Sequence, residues 1–202
     1  MPDDERALLE RLRQGDEDAF QSLVESHDGA LRHAARTFVR SAAAADEVVQ
    51  ETWLGVVRGI EKFEGRSSLR TWIFRILVNR ARTYATRDAR SVPFSALEED
   101  DGPAVDPSAF DGDGRWSSAP ARLEFDPDTN LLRSELREQL LAAVDQLAPA
   151  QRAVITLRDL AGLPADEVCE LLGVSDGNQR VLLHRARSHV RSALVPLVEV
   201  KR

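Results

Sequence analysis

Residues 163–187 read LPADEVCELLGVSDGNQRVLLHRAR. Val168, Leu171 and Leu172 fall at i, i+3 and i+4, one face of a helix. Gly173 follows at the place where a helix end favours positive φ. Ser175 or Asp176 can then cap a second helix by accepting a hydrogen bond from its free amides. On that helix Leu183 and Ala186 turn inward, which leaves Arg180, His184 and Arg187 outward, with Arg185 adding positive charge. Two short helices, a tight turn and a basic outer face form the pattern of a helix-turn-helix, whose second helix lies in the major groove of DNA. An ordinary helical hairpin with a solvated basic face carries the same local signature.

Helical spacing continues upstream. Leu132, Leu136, Leu140, Val144 and Leu147 make a stripe that ends before Pro149, and Ala153, Val154, Ile155 and Leu157 begin the next helix. Gly162 and Pro164 punctuate the entry to the helix-turn-helix. Residues 131–202 thus read as four helices with the DNA reader last. Cys169, the only cysteine, lies on the apolar side of its helix and reads as a small core residue. A disulfide within one chain and a cysteine zinc site are both excluded.

Residues 91–130 lose the periodicity. Proline, glycine, serine and aspartate dominate, which marks a linker without a core of its own. Phe110 and Trp116 flank its turn-rich run DGDG, and either dock on a partner or fold onto a neighbouring domain.

Residues 1–90 return to helices. Asp16 is a candidate N-cap, and Phe20, Leu23, Val24, His27, Leu31, Ala34 and Phe38 follow as one stripe. A second stripe is Val48, Val49, Thr52, Trp53, Val56, Val57, Ile60 and Phe63. A third is Leu69, Trp72, Ile73, Ile76, Leu77, Ala81 and Tyr84. A short helix over Glu5–Arg13 can join them. Strand-like alternation of comparable length is missing. The expected fold is all-α: two small helical domains, 1–90 and 131–202, joined by an acidic linker, 91–130.

A net charge of −7 argues, as a sum, against a nucleic-acid partner. Its distribution argues otherwise. Seven arginines stand against one acid, Asp88, between Arg66 and Arg90, while the N-terminal part and residues 98–128 are acidic. Local basic surfaces with acidic surfaces for other work fit this pattern. The apolar runs are too short to span a bilayer and the N-terminus shows no secretory signal, so a cytoplasmic protein is expected, with no membrane insertion. His27, His33, His184 and His189 do not group with carboxylates or Cys169 at metal spacing, and there is no glycine-rich phosphate loop. Neither a metal, nor a cofactor, nor a catalytic residue is expected.

Four passages carry a family resemblance: GDEDAFQSLVE, ADEVVQETWLGVVRGIEKFEG, SSLRTWIFRILVNRARTYATR, and LAPAQRAVITLRDLAGLPADEVCELLGVSDGNQRVLLHRAR. In this order and at these separations the chain resembles bacterial RNA polymerase sigma factors of the sigma-70 superfamily, in the compact extracytoplasmic-function group, or group IV. The resemblance covers nearly the whole chain. It implies a promoter-specificity subunit whose partners are core RNA polymerase, promoter DNA as duplex and melted strand, and an anti-sigma factor.

The resemblance also assigns work to residues. Region 2 of the family grips a coiled coil of core polymerase, and the matching segment runs from Asp46 to Trp53. Asp46, Gln50 and Glu51 lie on one helix face there, opposite the stripe; a solvated polar face reads the same way. The third passage matches the minus-10 melting helix. Arg70, Arg75, Arg80, Arg82 and Arg87 are placed to track phosphates. Asn79 matches the position beside the pocket for a flipped-out base, whose exposed edge an amide can both donate to and accept from. Tyr84 lies near a base-contacting loop, and Trp72 reads first as core and second as a stacking platform. The helix-turn-helix becomes region 4, the minus-35 reader, with Arg180, His184 and Arg185 as leading contacts, Arg187 beside them, and Asn178 and Gln179 as possible adenine readers. Here the chain departs from the family pattern, since Gln179 replaces an apolar residue and Leu182 an arginine. A rotated DNA face or a different target follows from that departure. In the family the linker threads the channel later used by nascent RNA.

Two rival readings remain at this point. A stand-alone helix-turn-helix regulator would need a dimerisation or ligand segment, and none is evident. A helical hydrolase using the region 2 carboxylates would need metal spacing that the sequence lacks.

Overall fold

The computed structural model describes residues 3–87 and 130–199, with side chains over 3–85 and 137–194. The linker, with Phe110 and Trp116, lies outside the described residues. Among these, every regular element is helical. The helices are α1 (Asp3–Arg13), α2 (Glu17–Phe38), α3 (Ala42–Gly59), α4 (Leu69–Arg87), α5 (Asn130–Asp145), α6 (Pro149–Ile155), α7 (Ala165–Leu172) and α8 (Asp176–Glu199). A 3-10 turn, Ile60–Lys62, extends α3, and a π turn, Thr156–Leu160, extends α6.

Local chemistry sets the boundaries. Asp16 caps α2, its carboxylate accepting from the Ala19 amide at 3.0 Å. Ser41 caps α3 in the same way, through the Ala44 amide at 3.1 Å. Ser68 accepts from the Thr71 amide at the start of α4, and the Glu5 carboxylate accepts from the Leu69 amide. That second cap crosses the sequence and ties α1 to α4. It also puts negative charge at the positive end of the α4 dipole.

α3 and α4 approach closely because two glycines face α4. A Cβ on Gly55 would lie 2.9 Å from Ile76 Cγ2, and one on Gly59 would lie 3.0 Å from the Trp72 ring. Helix α4 is buried on most of its circumference. Beyond the expected stripe, Phe74 and Val78 are also fully buried. The reason is that α4 packs against α2, α3 and also α7 of the second module. In the opposite direction, Val57 belongs to the expected stripe of α3 yet is 55% exposed. It follows Val56 by one residue, about 100° around the helix, and so leaves the face that Val56 buries.

The second module has the expected four helices, with α8 lying across α5 and α6. Gly173, at φ 72°, ends α7 in the left-handed region, and the amides of Gly173 and Val174 both donate to the Cys169 carbonyl. Of the two candidate caps for α8, Ser175 is the one that accepts from the Asn178 amide, at 3.2 Å.

The two modules are packed together. Helix α2 lies against α6 and the π turn, α4 lies against α7, and their buried side chains form one continuous core.

Candidate nucleic-acid and polymerase interfaces

The outer face of α3 carries Gln50 and Glu51, both exposed, with Leu54 at 47% exposure and Val57 beside them. Glu51 stands 3.7 Å from Arg80 of α4, a loose pair that leaves its carboxylate available. Asp46 sits at the edge of this face in an ordered network. The Trp53 indole donates to Asp28 at 3.2 Å, Asp28 pairs with Arg32 at 2.6 Å, and Arg32 also pairs with Asp46. Sequence spacing found the polar members but missed Leu54, because a single exposed leucine does not disturb helical periodicity. The face combines acids, an amide and apolar side chains, the mixture that buries well against a basic amphipathic partner.

Helix α4 divides the expected minus-10 set. Asn79 is exposed and Arg80 half-exposed. Arg75, Asn79 and Arg82 occur at i, i+4 and i+7 and so share a face. Its two arginines are already engaged: Arg75 pairs with Glu170 at 2.7 Å, and Arg82 donates to the Leu171 carbonyl in the last turn of α7. Burial pushes the Arg82 guanidinium below its ordinary value. Arg70 donates to the Ala161 carbonyl at 3.2 Å. Tyr84 is half-buried against the core. The Arg87 side chain lies outside the described residues.

Helix α8 presents one solvent face and one core face. Arg180 is outward and pairs with Asp176 at 2.6 Å along the helix. Arg187 is held by a two-pronged pair with Asp159, both contacts at 2.7 Å, and that hydrogen bonding raises its pKa. His184, Arg185 and Asn178 are half-buried. Val181, which sequence spacing passed over, is 37% exposed on the outer side and could meet a thymine methyl.

Gln179 is a correction. It is only 2% exposed, so its amide cannot reach a base edge in this conformation. The physical reason is register: Gln179, Leu182, Leu183, Ala186 and Val190 share the inward face, at i, i+3, i+4, i+7 and i+11. Its Nε2 is buried without a hydrogen-bond partner. Leu182 is likewise a core residue.

Among the described residues no group of three histidine, cysteine, aspartate or glutamate side chains could hold a metal ion, and no helix is long and apolar enough to cross a membrane.

Comparison with known proteins bears on these surfaces. Residues 23–91 match the family described as Sigma-70 region 2, and residues 137–190 match Sigma-70, region 4. The ECF RNA polymerase sigma-E factor of Haemophilus influenzae is 30% identical over 194 residues, which cover 96% of this chain and 97% of that one. Its counterpart in Escherichia coli K12 is 29% identical, covering 96% of each. Among solved structures, CnrH in complex with the cytosolic domain of CnrY matches with a TM-score of 0.54 at 26% identity, covering 96% of this chain and 99% of that one. RpoE of Bartonella quintana, in complex with the anti-sigma factor NepR, matches with a TM-score of 0.52 at 22% identity over 87% of this chain and 96% of that one, a likeness of fold.

Proposed function

The chain belongs to the extracytoplasmic-function RNA polymerase sigma factors, and from that premise we propose how its surfaces divide the work of promoter recognition. Residues 1–90 act as the region 2 module and residues 131–202 as the region 4 module. The α3 face of Asp46, Gln50, Glu51, Leu54 and Val57 docks on core polymerase. Asn79 reads a flipped-out base of the melted minus-10 strand, and Arg70, Arg75, Arg80, Arg82 and Arg87 of α4 follow its phosphates. Arg180, Val181, His184, Arg185 and Arg187 face the minus-35 duplex, with Asn178 at the rim. The chain needs no catalytic residue of its own and works in the cytoplasm.

The observation that carries this reading is the register of α8. A capped helix after a left-handed glycine turns Arg180, His184 and Arg187 outward and buries Gln179, Leu182, Leu183 and Ala186. Each DNA contact alone is weak. Holding both modules on one polymerase makes the second contact intramolecular, at a high effective concentration. CnrH is seen with the cytosolic domain of CnrY and RpoE with the anti-sigma factor NepR, and a protein that covers the α3 face is proposed as the natural regulator here as well.

Transcription in vitro with purified core polymerase on a promoter library tests the reading. Asn79→Ala should impair strand opening, followed by permanganate reactivity, while core binding stays near wild type. Equal loss of both would remove Asn79 from the base-reading role. Tight duplex binding by the chain without polymerase would favour a stand-alone regulator instead.

A further inference from the structure

Two outward arginines of α8 are held in different ways. Arg180 pairs with Asp176, one turn back on its own helix, at 2.6 Å. Arg187 is held from outside the helix. Its Nε donates to Asp159 Oδ2 and its Nη2 to Asp159 Oδ1, both at 2.7 Å, across 28 positions of sequence. Two parallel bonds fix the plane of the guanidinium as well as its place. The donor fork of arginine is larger than one carboxylate, so both hydrogens of Nη1 and the second hydrogen of Nη2 are left over. The Arg187 side chain is 55% exposed, and these donors form its outer edge. The platform under Asp159 is firm. Asp159 sits in the π turn, whose Thr156 and Leu157 are buried. The Thr156 carbonyl accepts from the Ala161 amide at 2.8 Å, and the Leu157 carbonyl from the Leu163 amide at 3.0 Å. Arg158 donates to the Leu163 carbonyl and ties the turn from the side. Turns of this kind are rare and occur mostly at functional sites.

We infer that Asp159 is a positioning residue for DNA binding: it aims the free edge of Arg187 at a backbone phosphate of the minus-35 duplex. This inference rests on the proposed placing of Arg187 on that duplex. The position along α8 selects phosphate over base. Recognition helices read base edges with their N-terminal residues. Arg187 stands seven residues after Arg180, about 10 Å further along and nearly on the same side. There the helix leaves the base edges for the bordering strand, and phosphate contacts fix register rather than sequence. An acid beside a DNA-facing cation repels phosphate, so by charge alone Asp159 is a liability. A guanidinium already set in its bound geometry loses less freedom on binding, and that gain outweighs the repulsion. Exposed ion pairs add little to stability, which leaves orientation as the main effect of this one.

The test uses the full chain on core polymerase and a dye-labelled duplex of a promoter that the wild-type holoenzyme selects from the library. Anisotropy follows affinity across a salt series. Arg187→Ala should weaken binding roughly fivefold to tenfold and make the slope of log K against log salt shallower by about 0.9, the worth of one phosphate. Asp159→Ala should weaken binding roughly threefold to fivefold, with the slope shifted the same way, although it removes a negative charge. The double variant should bind no worse than Arg187→Ala, because the acid then has nothing to hold. Each Tm should stay within about 4 °C of wild type, as expected for an exposed pair. A slope shallower by several phosphates, or a larger fall in Tm, would assign Asp159 to the folding of the module instead. Tighter binding by Asp159→Ala, or a further loss on adding it to Arg187→Ala, would overturn the positioning role and leave Arg187 on DNA. An unchanged affinity and slope in Arg187→Ala would take Arg187 off the DNA face, and the positioning role with it. None of these outcomes touches the sigma-factor reading, which stands or falls on transcription with core polymerase.

Discussion

Gln179→Met isolates the one polar side chain that the recognition helix buries. Methionine keeps the unbranched length of glutamine and removes the amide nitrogen that has no partner. Leaving a buried donor unmet costs about 1–3 kcal/mol. Imperfect fit of the thioether cancels part of that gain, so a net stabilisation of about 1–2 kcal/mol is expected. For a chain of 202 residues this corresponds to a rise in Tm of roughly 2–8 °C. Thermal unfolding followed by circular dichroism measures it. Affinity for a minus-35 duplex, measured on the polymerase-bound protein, should stay within about twofold, because the side chain shares the buried face of α8 with Leu183 and Ala186. A lower Tm would show that the amide has a structural partner. A drop in minus-35 affinity of tenfold, or about 1.4 kcal/mol, would return Gln179 to the DNA face and refute the register argued for α8.

Other tests address separate surfaces. Leu54→Asp with Val57→Asp should weaken core polymerase binding at least tenfold while leaving Tm nearly unchanged, since both side chains are about half exposed; a matching fall in Tm would mean that they stabilise the fold. Gly55→Ala puts a methyl 2.9 Å from Ile76 Cγ2, and urea unfolding should show a loss of about 1–3 kcal/mol. His33 is held below its ordinary 6.5, first by burial, with Arg36, Arg152 and Arg137 acting the same way and Asp145 opposing. Its unfolded form therefore binds the proton first, so stability should fall as pH drops below about 6.5 and level off below the folded pKa. His33→Gln should flatten that slope, and an unchanged slope would assign it to other groups.

The helices and their caps were legible because they are local. Asp16, Gly173 and the apolar stripes each announce themselves within a few residues. The inward face of α8 was half legible: Leu183 and Ala186 fixed the register, yet a glutamine in line with them reads as polar and hence as outward. What the sequence could not reveal is non-local. The Glu5 carboxylate caps a helix 64 positions away. Arg70, Arg75 and Arg82 look the same in sequence whether they wait for phosphates or hold α7. Phe74 and Val78 lie outside a single stripe because α4 packs against α2, α3 and α7 at once, and no periodicity within α4 reports those neighbours. The exposure of Leu54 and Val57 was hidden for the converse reason, since hydrophobicity alone implies a core and not a partner.

The chain from Trp53 through Asp28 and Arg32 to Asp46 gives the protein a built-in optical reporter. Any visitor that draws Arg32 or Asp46 into new bonds must disturb the carboxylate that the indole donates to. The emission of that ring should then change colour or intensity, so occupancy of this face could be followed in a cuvette with no label attached.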